Sequence, residues 1–242
     1  MLEKIMLIGF PIAVAFFALG IMNVETNKTI GVIGFIGFAG TVITILFLGF
    51  IGIKIIFKKR IKHAAMVLNN TFPGIYIDET GIESKEYWGL PYPEYEIESS
   101  LIIPYQDSRA VTSFISHSER YGGKTRRTYM CQTLYKMQQR KLPEFKYDKN
   151  FGKPADFTQI VLPEQSVITG RNLYVKKPED AASFFNNGFS GFIIENNYNS
   201  FNISYMDGRI VIEDNSRRGM PKDMLAYTAD CMKIIEYLYS KN

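Results

Sequence analysis

Cysteine is scarce in this 242-residue chain: there are two, Cys131 and Cys231. That excludes a disulfide-dense scaffold and a cysteine-built zinc site. Histidine is equally scarce, with only His63 and His117, so no spaced set of metal ligands exists and neither a metal nor another cofactor is expected. Ionisable residues are missing altogether from Ile5 to Met22 and from Ile30 to Ile53. Charges inside a membrane mark ion and substrate paths, so their absence argues against a transporter or a proton relay. A strong charge of one sign is also lacking, with 28 Lys/Arg against 24 Asp/Glu. What is plentiful is apolar: 46% of residues are hydrophobic and 14% aromatic, which excludes a disordered chain.

The small positive balance is unevenly placed. Residues 1–63 hold seven Lys/Arg and two acids, whereas residues 64–242 hold 21 and 22. The excess belongs to an apolar segment and its flank. It is not the footprint of a nucleic-acid-binding domain, and no nucleic acid partner is expected.

The two uncharged runs are 18 and 24 residues long. As helices they measure about 27 Å and about 36 Å, enough to cross a bilayer, the second with some tilt. The link Asn23 to Thr29 is short and polar, so they form an antiparallel hairpin. A cleaved leader ending near Ala18-Leu19-Gly20 is the alternative for the first run, but a second span follows at once. Lys4 precedes the first span, while Lys54, Lys58, Lys59, Arg60 and Lys62 follow the second. Positive residues stay inside, so both termini are expected in the cytoplasm, as in a multi-pass protein of the inner (plasma) membrane. The same five residues should meet anionic lipid. Gly34, Gly37, Thr41 and Thr44 share one helical face. Small residues there let helices approach closely, either the first span of the same chain or a second copy.

From residue 64 onward the pattern predicts a cytosolic domain. The helix should run on to Asn69-Asn70. Ile75 to Ser84 reads as a short hairpin, and Tyr95 to Glu98 alternates like a strand. Ala110–Arg120 and Thr125–Gln138 read as long strands around Gly122-Gly123, with Tyr129, Cys131, Thr133 and Tyr135 on one side and Gln132 and Lys136 on the other. Opposed residues should then sum to 245, setting Cys131 against Phe114. Strands are expected at Gln159–Leu162, Val167–Thr169 and Asn172–Val175. A helix should open at Pro178, a hairpin turn on Asp207-Gly208, and a last helix open at Pro221. The fold class is a membrane α-helical hairpin plus an α+β cytosolic domain with a mainly antiparallel sheet.

Chemistry is thinly marked. Ser118 to Thr125 resembles the end of a phosphate-binding loop, but a strand follows where that motif needs a helix. His117 and Cys131 are the only pair suited to nucleophilic catalysis, and a turn on Gly122-Gly123 puts them on opposite faces. Glu94, Glu96 and Glu98 read as a solvated acidic strand. Arg120, Lys124, Arg126 and Arg127 gather at a hairpin tip and are the candidate anion- or lipid-binding residues.

The pieces Gly122–Thr128, Asn172–Val175 ahead of Pro178-Glu179-Asp180-Ala181, and Asn202–Ile212 ahead of a last helix resemble an uncharacterised family of bacterial two-span membrane proteins. That resemblance implies the topology and fold, and carries no active site. The expectation is a two-pass membrane protein displaying a binding or assembly domain, without catalysis. The partners are membrane lipid, a second copy of the chain, and a small anionic ligand or cytosolic protein. The alternative is a ligand-gated effector. Its domain senses a nucleotide-like anion and its hairpins oligomerise to perturb the membrane.

Overall fold

The structure, a computed structural model, describes residues 2–89, 95–121, 124–138, 142–148, 156–160, 171–179, 184–185, 188–214, 221 and 223–241. For residues 2–8, 46–51, 53, 54, 119–121 and 124–127 it describes the backbone alone. The chain forms two compact units, Met1–Lys59 and Arg60–Asn242.

In the first unit, helix α1 (Leu2–Asn23) turns into helix α2 (Lys28–Leu68). Asn27 starts α2, its Oδ1 accepting from the Ile30 N–H at 3.3 Å. The helices pack antiparallel through glycine. A Cβ at Gly34 would overlap the Gly20 backbone, one at Gly37 would lie 2.5 Å from the Phe16 ring, and one at Gly9 would lie 2.6 Å from Ile45. Among the described residues, Lys28–Ile45 is long and apolar enough to cross a membrane, and Gly9–Asn23 is a shorter apolar stretch of α1.

Among the described residues, the second unit is built on a nine-stranded sheet. Its strands are β1 (Tyr76–Asp78), β2 (Tyr95–Tyr105), β3 (Ser108–Tyr121), β4 (Lys124–Lys136), β5 (Phe145–Asp148), β6 (Thr158–Ile160), β7 (Asn172–Val175), β8 (Phe201–Met206) and β9 (Arg209–Asp214). Their order is β1-β2-β3-β4-β9-β8-β5-β7-β6, and every pairing among the described residues is antiparallel. The α+β architecture is therefore as the sequence pattern implies. Asp207 and Gly208 both take positive φ, 50° and 74°, the turn that matches strand twist. The strand expected at Val167–Thr169 lies outside the described residues.

Two local expectations are corrected. Ile82–Trp88 is a helix, α3, not the second arm of a hairpin. The reason is Asp78: its carboxylate accepts from the backbone N–H of Gly81 at 2.9 Å and of Ser84 at 2.8 Å. It thereby satisfies donors that a helix start leaves open. Gly81 sits at φ 70°, and a Cβ there would overlap the Ile97 carbonyl, so the turn into α3 requires glycine. The final helix begins three residues later than Pro221. Asp223 caps it, accepting from Ala226 N–H at 3.0 Å, and it runs Met224–Ser240.

Helices divide the two sheet faces. The last two, α4 (Phe189–Glu195) and α5 (Met224–Ser240), lie on one face. There Met224, Tyr227, Cys231, Ile235 and Leu238 are buried. Phe145, Phe184, Phe185 and Phe189 form an aromatic cluster with centroids 4.8–6.3 Å apart. Each such ring stabilises the fold by about 1.5–3 kcal/mol through burial. On the opposite face, among the described residues, α3 covers only part of the sheet. Trp88 packs there with Ile97, Ile102, Val111, Ile115 and Leu134.

Candidate functional site

That second face also carries polar side chains, first at α3 and then beyond it. Pleating brings alternate residues to it, and the register aligns them in rows. One row runs Asp78, Ser100, Ser113, Gln132, Glu213, Asn202 across β1, β2, β3, β4, β9 and β8. Asp148 and Asn172, paired between β5 and β7, extend it. The members are tied by hydrogen bonds. Trp88 Nε1 donates to Ser113 Oγ at 2.9 Å, and Ser113 Oγ lies 2.7 Å from Ser100 Oγ. Gln132 Nε2 donates to Glu213 Oε2 at 3.3 Å, and Arg171 Nη1 donates to Asn202 Oδ1 at 2.7 Å.

A cavity of about 180 Å³ opens over this row, lined by Gln132, Lys146, Asp148, Asn202, Ser204 and Glu213 among others. Lys146 Nζ stands 3.8 Å from Asp148 Oδ2. Burial pushes the Glu213 carboxyl above its ordinary value. The Gln132 hydrogen bond opposes that, while Asp148 and Asp214 add to it. A second, larger groove of about 660 Å³ shares Ser204 and Val211 with the first and continues to Lys136 and Arg209. Among the described residues, the two adjoining hollows make a trough on the open face, cationic at one end and rich in carboxylates and amides at the other.

The sequence-derived candidates are spread over the molecule. The register sets position 126 opposite Glu119, position 127 opposite Ser118, and Arg120 opposite position 125. By the pleat alone, positions 124 and 126 belong to one face of the ribbon and 120 and 127 to the other. The side chains of Arg120, Lys124, Arg126 and Arg127 lie outside the described residues, as do Glu94, Gly122, Gly123 and the Lys54 side chain. Among the basic flank, Lys58 is half-buried and Lys59 exposed. Arg60 Nη1 donates to the Pro221 carbonyl at 2.6 Å, and Lys62 Nζ pairs with Glu79 at 3.0 Å. Those two cations are engaged by the second unit itself. Gly34 and Gly37 face α1, whereas Thr41 and Thr44 bond back to the carbonyls of Gly37 and Gly40 at 2.8 Å.

His117 stacks on Tyr95, centroids 4.2 Å apart, and faces Thr128, while Cys131 faces Phe114. The two belong to opposite sheet faces and form no catalytic pair. Both thiols are free and buried. Burial pushes Cys131 well above its ordinary value and Cys231 up to about 12. The rows on the open face escaped the sequence reading because β4 pairs with β9, about 75 residues downstream, and no local pattern announces that pairing.

No protein-family model, curated protein or solved structure matches the chain, so the resemblance noted in the sequence transfers no residue role.

Proposed function

We propose that this chain is a two-pass inner-membrane protein that displays a cytosolic binding domain, with the open sheet face as its binding surface and no catalytic turnover. The observation that carries the reading is the contrast between the two units. The helical hairpin packs through glycine yet leaves Phe10, Ile36 and Ile43 at least 66% exposed, a surface suited to lipid and not to water. The second unit keeps its large apolar side chains mostly inside and offers a trough of hydrogen-bonding groups instead. Support for binding over catalysis comes from the thiols, which are buried on the far face with raised pKa values and make poor nucleophiles.

The test is topological. In a Cys131→Ser, Cys231→Ser background, cysteines are introduced singly as Asn27→Cys and Lys241→Cys. An impermeant thiol reagent should label the first from outside intact cells and the second only after the membrane is opened. Labelling of the second from outside sinks the cytosolic reading.

The cationic end of the trough favours a second reading, the ligand-gated effector whose hairpins oligomerise. Native mass spectrometry of the full chain separates the two. A stoichiometric small anion that is not turned over supports the effector, and a ligand-free chain supports display and assembly.

A further inference from the structure

Three cations stand side by side at one end of the open face. Lys136 on β4 is directly opposite Arg209 on β9. Arg109, one position past the last β3–β4 pair, Ala110 with Tyr135, continues the row. Like charges opposed across strands repel, and this row is only partly compensated. Glu83 of α3 pairs with Arg109. Among the described residues, neither Lys136 nor Arg209 has a carboxylate within ion-pair distance. Asp207 is the nearest carboxylate to Arg209 in sequence and lines the same groove, its backbone N–H donating to Glu144 Oε1 at 2.9 Å.

Lys136 and Arg209 are held in place. The Tyr87 hydroxyl donates to the Arg109 carbonyl at 2.8 Å and accepts from the Lys136 backbone N–H at 3.1 Å. Lys136 Nζ then rests 4.4 Å from the Tyr87 ring centroid. Arg209 Nη1 reaches the Trp88 carbonyl at 3.5 Å. Burial, then the charges of Arg209 and Arg109, hold the Lys136 amine below its ordinary value. An added anion would relieve that repulsion.

We propose that Lys136 and Arg209 form an anion site for a phosphate-bearing ligand seated in the 660 Å³ groove. A phosphate monoester carries a charge of about −1.5 to −2 at neutral pH, which matches two adjacent cations better than a single carboxylate does. The guanidinium offers a planar fork for two oxygens and the amine a point charge for a third. From Lys136 to Gln132 is four strand positions, about 13 Å. A phosphate ester anchored at the cationic end can therefore extend its remainder past Ser204 to the Gln132–Glu213–Asn202 row, whose amides and carboxylate suit a hydroxyl- or amine-bearing group. The site rests on reading the open face as the binding surface, but not on the membrane topology.

The full chain in a non-ionic detergent is titrated calorimetrically with inorganic pyrophosphate at low ionic strength. Wild type should bind. Arg209→Gln and Lys136→Gln should each weaken binding about tenfold or more, the loss of one charge-assisted contact, and the double variant should abolish it. Lys233→Gln, an exposed cation on α5, should bind as wild type, and unchanged circular dichroism shows that the variants fold. No binding by wild type, or equal binding by the double variant, overturns the site. The proposed two-pass display is then still decided by the cysteine labelling, which does not depend on phosphate. Two nanodisc arms identify the source of the phosphate. If phosphatidylglycerol discs block pyrophosphate and phosphatidylcholine discs do not, the native occupant is a lipid headgroup. If both allow it, the occupant is a soluble phosphate ester.

Discussion

Phe114 and Cys131 face each other across β3 and β4, and this one pairing fixes the register of the longest ribbon in the sheet. It places Cys131 beneath α5, where the Tyr227 hydroxyl donates to the Cys131 and Ile212 carbonyls, each at 3.1 Å. It also sends His117 to the other face.

The first expectation concerns the thiols. Reaction needs the thiolate, and desolvation disfavours it at both Cys131 and Cys231. Both should resist a small permeant alkylating reagent in the folded chain and react only on unfolding. Rapid modification under native conditions, followed by intact mass, would contradict their burial. For the same reason native Cys131 is unsuitable as a topology reporter, and introduced cysteines are needed.

The second concerns the hairpin glycines, which are not equivalent. A Cβ at Gly34 meets backbone, Gly20, which has no rotamer through which to yield. At Gly37 it meets the Phe16 ring, and at Gly40 it meets nothing within 4 Å. Gly34→Ala should therefore destabilise the hairpin by about 1–3 kcal/mol, the usual cost of overpacking, and Gly37→Ala by less. Gly40→Ala should be neutral or stabilise by up to about 1 kcal/mol through helix propensity. Unfolding of the full chain in detergent ranks the three, and equal effects would contradict the packing.

Strand periodicity was legible wherever pairing is local. The β3–β4 and β8–β9 hairpins follow from alternation and glycine turns, and α5 from its buried stripe. The α3 segment was not legible. Ile75 to Ser84 alternates enough to mimic a hairpin, and only the contacts of Asp78 with Gly81 and Ser84 turn it into a helix. The trough was not legible either. Lys136 and Arg209 become neighbours only once β9 is inserted beside β4, a choice made by packing over the whole sheet. The basic tip stood out in sequence because its charges are contiguous, whereas the cation row is assembled from three distant segments.

The third expectation is a pH dependence at Asp78. Burial opposes its ionisation, but hydrogen bonds from Ser84, Thr80 and Gly81 overcome that and hold the carboxyl below its ordinary value. Protonating such a group costs the folded chain more than the unfolded one. Its contribution is therefore complete above about pH 4, where an unfolded Asp is ionised, and is lost as pH falls through the lower folded-state value. Asp78→Asn should cost about 1–3 kcal/mol at pH 7. The gap to wild type should close as pH drops below about 4, as read by denaturant unfolding across that range. A gap that persists unchanged at acid pH would assign the role to shape instead of charge.

The last expectation separates the two basic regions. Arg126 and Lys136 lie ten positions apart on β4, about 33 Å along the strand, too far to share one small ligand. The register sets position 126 opposite position 119, whereas Lys136 is opposed by Arg209. The tip belongs to a segment, residues 106–153, with eleven Lys/Arg against four acids. Such a surplus attracts anionic surfaces at long range and is screened by salt, with the Debye length falling from about 10 Å at 0.1 M to about 3 Å at 1 M. In full-length protein held in phosphatidylcholine nanodiscs, added phosphatidylglycerol vesicles should be captured at low salt and released at high salt. Arg126→Glu with Arg127→Glu should remove that capture and leave pyrophosphate binding intact. Lys136→Gln with Arg209→Gln should do the reverse. If either pair of substitutions removes both activities, the two regions act as one surface and the separation drawn from the β4 register is wrong.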